Sequence, residues 1–347
     1  MQIPEVFGQQ LQAPNGVFLF SENWQCYNFF PVEILMNRSF ILLLLCLALI
    51  TSSCGEKIQP SPSAAWTQLA SMPTARSENT AAVLDQTIYV SGGFGGEQTL
   101  EAYETITDTW KALADLPEPR HHLMSASYDG KVYIFGGASS IVNWTPRAEV
   151  WTYDPTMDSW QAIASMPEPR LAGAAVTLDN YIYVVGGTGG SNALLRYDPS
   201  RDEWRSLESL SESREHTAAD ALDGKIYALG GRWGDLGELT SVEVYDPASD
   251  LWTSAPSLQI ARGGFAAVTV NEKIYALGGE VLTGENHALT SVEIFDPQRG
   301  VWEFGPDLPL PLHGVPAVNV DGTIYVLGGA DRAGAISNQG LVFALKP

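Results

Sequence analysis

The chain has 347 residues, enough for one large domain or two ordinary ones, and is 45% hydrophobic with only 17% charged residues. Its 33 Gly, 21 Pro, 13 Tyr and 10 Trp favour an all-β chain of short strands and tight turns. A formal net charge of −21 argues against nucleic acid, which needs clustered Lys and Arg, and against electrostatic docking on an anionic membrane surface.

Taken in chain order, residues 1–35 show no periodic pattern and are read as an untranslated upstream extension, with Met36 as the true start. Met36-Asn37-Arg38-Ser39 followed by the apolar run Phe40 to Ile50 reads as a signal peptide over 36–53. That run is too short to span a bilayer, which takes about 20 residues. Thr51-Ser52-Ser53 before Cys54 resembles the lipobox of bacterial lipoproteins, although Thr51 departs from the usual Leu-like residue. The resemblance implies lipidation of Cys54, a short tether over 54–65, and export to the bacterial cell envelope on a lipid anchor. Cys26, Cys46 and Cys54 all precede the repeats, so the folded domain is expected to hold no disulfide, thiolate ligand or thiol nucleophile.

From residue 66 one unit recurs. Tryptophans stand at Trp66, Trp110, Trp160, Trp204, Trp252 and Trp302, and ten residues after each come Arg76, Arg120, Arg170, Arg214, Arg262 and finally Leu312. Sixteen residues later begin the glycine pairs Gly92-Gly93, Gly136-Gly137, Gly186-Gly187, Gly230-Gly231, Gly278-Gly279 and Gly328-Gly329. Each pair ends an apolar or alternating run such as Ile88-Tyr89-Val90, the pattern of a buried strand. Tyr103, Tyr153, Tyr197, Tyr245 and Phe295 stand seven residues before the later tryptophans. These offsets hold in every copy, and the period of 44 to 50 residues is that of propeller blades.

Arg, Gly-Gly, Tyr-Asp-Pro and Trp at these positions resemble the kelch motif over residues 66–347. The resemblance implies an all-β, six-bladed propeller with four antiparallel strands per blade, a to d from the inside outward. Asp129-Gly130, Asp223-Gly224 and Asp321-Gly322 are expected as hairpin turns between a and b. Asp-Pro pairs such as Asp154-Pro155 follow strand c, whereas Glu104-Thr105 predicts a different turn in blade one. Because Trp66 precedes any complete blade, its strand is expected to close the ring as strand d of the last one, covering a sheet edge.

In such a blade the d–a and b–c loops share one face. From the second glycine to the strand-c aromatic the spacing varies as 10, 16, 10, 14, 16 and 14 residues, and all length variation lies there. That face is the expected recognition surface. Its b–c loops offer Trp144, Arg147, Arg232 and Trp233, and an exposed Trp stacks on a sugar ring or fills a partner's pocket. Its d–a loops place Arg76, Arg120, Arg170, Arg214 and Arg262 near the channel mouth, where a guanidinium ring is a candidate grip for a carboxylate. These arginines are also part of the repeat, and Glu118 and Glu168 stand ready to pair with two of them. Beside them lie Glu78, His121, His122, Glu215, His216 and His313. The histidines come from comparable positions in three blades, but no carboxylate-and-histidine spacing fixes a metal, so neither metal nor cofactor is expected.

A binding module for a protein or glycan at the cell envelope is therefore the leading expectation, acting as a monomer. The alternative is an enzyme like the sialic acid mutarotases, exported kelch propellers, with Glu78, Glu215, His121 and His216 as candidate acids and bases. Copper chemistry of the galactose oxidase kind is excluded by the lack of a Cys in the repeats. A structural envelope accessory protein is a third expectation.

Overall fold

The computed structural model describes residues 65–347 apart from 141, 143, 190 and 191; the expected signal peptide and Cys54 lie outside them. Six four-stranded antiparallel sheets follow in chain order. Blade one comprises Thr80–Leu84, Thr87–Ser91, Leu100–Glu104 and Thr109–Ala112, and blade two Met124–Tyr128, Lys131–Phe135, Val150–Asp154 and Ser159–Ile163. Blade three comprises Ala174–Leu178, Tyr181–Val185, Ala193–Asp198 and Glu203–Ser209, and blade four Ala218–Leu222, Lys225–Leu229, Val242–Asp246 and Leu251–Ala255. Blade five comprises Ala266–Val270, Lys273–Leu277, Val292–Asp296 and Val301–Phe304. Blade six takes Ala317–Val320, Thr323–Leu327 and Val342–Leu345 from the C-terminus and Trp66–Gln68 from the start of the ring. Trp66 pairs with Leu345 and Gln68 with Phe343, so the expected closure is present.

Residue types explain the layering. The inner strands carry small residues toward the channel (Ala81, Ser125, Ala175, Ala219, Ala267, Ala317), which lets six strands approach one axis. The second strands, such as Val132-Tyr133-Ile134-Phe135, are buried on both faces between neighbouring blades, hence their unbroken apolar character. The expected Asp-Gly turns carry positive φ at both residues, 48° and 71° at Asp129-Gly130, as a type I′ hairpin requires. Blade one departs as its sequence predicts: Thr105, not an Asp-Pro turn, anchors the c–d link by donating N–H and Oγ1–H to the Gln86 carbonyl.

Blades are stapled to one another by repeat positions. Each structural tryptophan donates its indole N–H across the blade boundary: Trp110 to Ala70, Trp160 to Ala114, Trp204 to Ala164, Trp252 to Glu208, Trp302 to Pro256, and Trp66 to Pro306 at closure. In four blades a tyrosine hydroxyl donates to an Asp five residues on, as Tyr103 does to Asp108 at 2.6 Å. That Asp also accepts the N–H of the residue whose carbonyl holds the tryptophan.

The second glycine of each pair donates its N–H to the carbonyl at the next repeat-arginine position, as Gly137 does to Arg170 at 2.8 Å and Gly279 does to Leu312 at 2.7 Å. A Cβ on Gly136 would meet that carbonyl at 2.2 Å, and one on Gly137 would meet the His121 carbonyl at 2.7 Å, so both positions need glycine.

Candidate functional site at the channel mouth

The two residues after each repeat arginine build the mouth of the channel. The first pairs by a backbone bridge with the residue after the glycine pair: Ser77 with Phe94, His121 with Ala138, Glu215 with Arg232, Gly263 with Glu280 and His313 with Ala330. This confirms that the d–a and b–c loops share a face. The second residue is Glu78, His122, Ala172, His216, Gly264 or Gly314, and each donates its N–H to the carbonyl of the preceding one, at 2.6–2.9 Å. Six hydrogen bonds thus close a backbone ring about the axis.

All six ring residues have positive φ, from 48° to 61°. Glycine adopts this conformation freely, whereas Glu78, His122 and His216 hold it against steric cost, a pattern concentrated at functional sites. Their side chains gather over the channel. One carboxylate oxygen of Glu78 and one ring nitrogen from each of His122 and His216 lie within 4.8 Å of one another.

A chain of polar contacts surrounds them. Arg232 bridges Glu215 at 2.9 Å and Glu280 at 2.6 Å. His313 Nδ1 stands 3.4 Å from Glu280 and 3.5 Å from Glu78, and Glu78 Oε2 stands 3.3 Å from His122 Nε2. Behind the ring, His121 and His122 meet through their Nδ1 atoms at 2.6 Å, and His216 Nδ1 lies 3.1 Å from Glu215. Above lies a cavity of about 220 Å3 lined by these groups, His121 and Glu215 excepted, together with Phe94, Trp144, Leu282 and Ile336. The Trp144 ring packs at 4.4 Å from the His122 ring and remains 43% exposed, forming one wall.

Burial alone would raise the Glu78 carboxyl, but its surroundings, with His313 bonding to it, outweigh burial and hold it well below the usual carboxylate range. Burial pushes His122 down to about 3, keeping it neutral. Against burial, the Glu78 and Glu280 carboxylates raise His313. Glu215 is also buried, yet His216, Thr188 and Arg232 bring it down to about 2. The mouth therefore sets an ionised carboxylate beside an imidazole whose hold on a proton is strengthened.

Several expected site residues take other places. Arg76, Arg120, Arg170, Arg214 and Arg262 are buried within the blades and line neither the channel nor the cavity at its mouth. Arg76 pairs with Glu101, Arg214 with Glu243 and Arg262 with Glu293, each acid standing two residues before the strand-c aromatic. Where that residue is Trp151 or Leu195 the acid moves: Arg120 pairs with Glu118 and lies over the Trp151 ring, and Arg170 pairs with Glu168. A guanidinium ring gripping a carboxylate is thereby corrected to a set of structural ion pairs. Arg147 joins Glu118 and Glu149 away from the cavity, and Trp233 begins a short 3-10 turn without lining it. Of the proposed acids and bases, Glu78 and His216 line the cavity, while Glu215 stands behind beside His216 and His121 beside His122. His313, Arg232 and Trp144 line the cavity as well. Glu280 was not singled out from the sequence, although its position directly after Gly278-Gly279 is the signal that finds it.

Residues 62–214 match the KLHDC2/KLHL20/DRC7 kelch-repeats domain, and residues 213–259 and 261–309 match the kelch motif. With six four-stranded blades built on that motif, the chain is a kelch-repeat β-propeller. A solved structure titled "Structure of YjhT" superposes with a TM-score of 0.72 at 18% identity, over 79% of this chain and 96% of that one. That likeness is one of fold. A search of curated protein sequences finds no match.

Proposed function

We propose that this propeller is a binding module of the cell envelope that seats the end of a neutral glycan in its channel mouth. The observation that carries the reading is one small cavity with an indole wall, Trp144, and a wall of carboxylates and imidazoles, Glu78, Glu280, His122, His216 and His313. A pyranose offers an apolar C–H face to an indole and hydroxyl donors to carboxylates, so both walls find complements on one ring. Three carboxylates stand against Arg232, whose guanidinium is held by Glu215 and Glu280. The mouth therefore disfavours an acidic sugar such as N-acetylneuraminate. Envelope attachment through Cys54 belongs to this reading and rests on the sequence of residues 36–54.

One observation favours a catalytic variant. Glu78 and His313 face the same cavity, a carboxylate and an imidazole placed as acid–base opening of a sugar ring requires. That is a mutarotase-like reading.

Thermal shift against neutral mono- and oligosaccharides and N-acetylneuraminate tests both. Binding at 100 times Kd adds about 2.7 kcal/mol to the native state, a visible rise in melting temperature. A neutral-sugar shift lost in Glu78→Gln supports the binder. A shift accompanied by faster anomer exchange, lost in the same variant, supports the enzyme. A flat panel from a folded sample overturns both and leaves a protein partner.

A further inference from the structure

We propose that Glu78, His122 and His216 form a site for one divalent transition-metal ion of the zinc class at the centre of the channel mouth. The three ligand atoms, within 4.8 Å of one another, surround a space of metal size. Ligands about 2.1 Å from a tetrahedral zinc stand about 3.4 Å apart, so side-chain shifts of about 1 Å close the shell. Two imidazoles and one carboxylate with an open position are a donor set that suits such an ion.

Hydrogen bonds decide which nitrogen His122 offers. The Ser140 carbonyl only accepts, so His121 Nε2, 3.1 Å away, carries a proton. In the neutral ring His121 Nδ1 is then an acceptor, and His122 Nδ1 donates to it at 2.6 Å. That leaves His122 Nε2 with a bare lone pair. This atom is buried, makes no hydrogen bond among the described residues, and faces Glu78 Oε2 at 3.3 Å. Two electron pairs pointed at one gap are satisfied by a cation placed in it. Glu215 stands 3.1 Å from His216 Nδ1, the place of the outer carboxylate beside a metal-bound imidazole. The other ring positions are Ala172, Gly264 and Gly314, which leave room for an ion and for a fourth ligand from the cavity.

The full chain, stripped with a chelator, is titrated without any sugar present, so the result stands apart from the glycan reading. Equilibrium dialysis with Zn2+ is expected to show one ion per chain lost in the variants below. Co2+ is expected to give visible d–d bands without the near-ultraviolet thiolate band that Cys26, Cys46 or Cys54 would produce. Glu78→Gln and His216→Ala are each expected to weaken binding by at least about 100-fold, beyond the loss typical of outer partners. His287→Ala, at an exposed histidine outside the cluster, leaves it unchanged. Absence of stoichiometric Zn2+ in a folded sample overturns the proposal, as does binding that survives in both variants. If His216→Ala does not fold, the near-isosteric Glu78→Gln decides alone.

Discussion

The N–H of Glu78 donates to the carbonyl of Gly314 at 2.7 Å, joining the first repeat to the last. This bond completes the ring on which the candidate site is mounted, so closure of the propeller and assembly of the mouth are one event. A side chain on the ring is held by six blades at once, which is the rigid support that a preorganised site needs.

Gly264 and Gly314 occupy equivalent ring positions with φ of 61° and 55°, yet their surroundings differ. A Cβ at Gly264 has no neighbour nearer than 3.5 Å, whereas at Gly314 it would meet Glu78 Oε1 at 2.3 Å. Gly264→Ala is expected to cost about 1–2 kcal/mol, the strain of the left-handed conformation. Gly314→Ala is expected to cost more and, unlike Gly264→Ala, to abolish ligand binding by displacing Glu78. Urea denaturation and thermal shift check the pair.

Arg262 and Glu293 form a fully buried pair at 2.7 Å, and Glu293 also accepts the N–H groups of Gln259 and Ile260. Arg262→Ala strands the carboxylate and is expected to cost about 3–5 kcal/mol. In blade six the equivalent positions are Leu312 and Leu341, and Pro309 has no N–H to satisfy. Combining Arg262→Leu with Glu293→Leu is therefore expected to recover part of the loss, measured by chemical denaturation.

Tyr103→Phe removes the hydroxyl that, first, and the Ala70 N–H, second, hold Asp108 below the usual carboxylate range. A carboxyl lowered in the folded state contributes stability above its unfolded pKa of about 3.9, and loses it as pH falls through the lower folded value. The variant is expected to be less stable at pH 7 by an amount on the order of 1 kcal/mol, typical of one hydrogen bond. The difference from wild type should shrink as pH falls below about 4. Melting curves from pH 7 to pH 2.5 read it.

Trp144→Ala is expected to weaken glycan capture by about tenfold or more, while Trp233→Ala leaves it near the wild-type value. Only Trp144 lines the cavity, although the sequence offers both as non-structural tryptophans. Titration calorimetry with the sugar found by thermal shift distinguishes them.

The fold was legible because each staple recurs at fixed offsets along the sequence. Where blade five has Phe295 for tyrosine, it also has Gly300 for the Asp, and the opposing residue is Pro256, with no N–H to offer. Hydroxyl, carboxylate and amide disappear together because each is useful only with the others. The site was legible only in part. Glu78, His122 and His216 are 44 and 94 residues apart, spacings that carry no metal signature until the ring superposes them. The arginines misled for the opposite reason: their regular spacing around the mouth is visible in sequence, but not their direction. Their acids, Glu101, Glu243 and Glu293, lie 25 to 31 residues away on strand c and draw the guanidinium groups inward.

The protein carries its own reporters for the central claim that ligand binds at the channel mouth. Of its five histidines, His121, His122, His216 and His313 cluster there, and His287 lies exposed in the blade-five loop. NMR of the protein labelled at the histidine Cε1 position, recorded while adding a sugar that raises the melting temperature, is the most direct measurement. Shifts in the four clustered resonances with His287 unmoved are the predicted result. A ligand that stabilises the protein while those four stay still, or while His287 alone moves, would contradict the account.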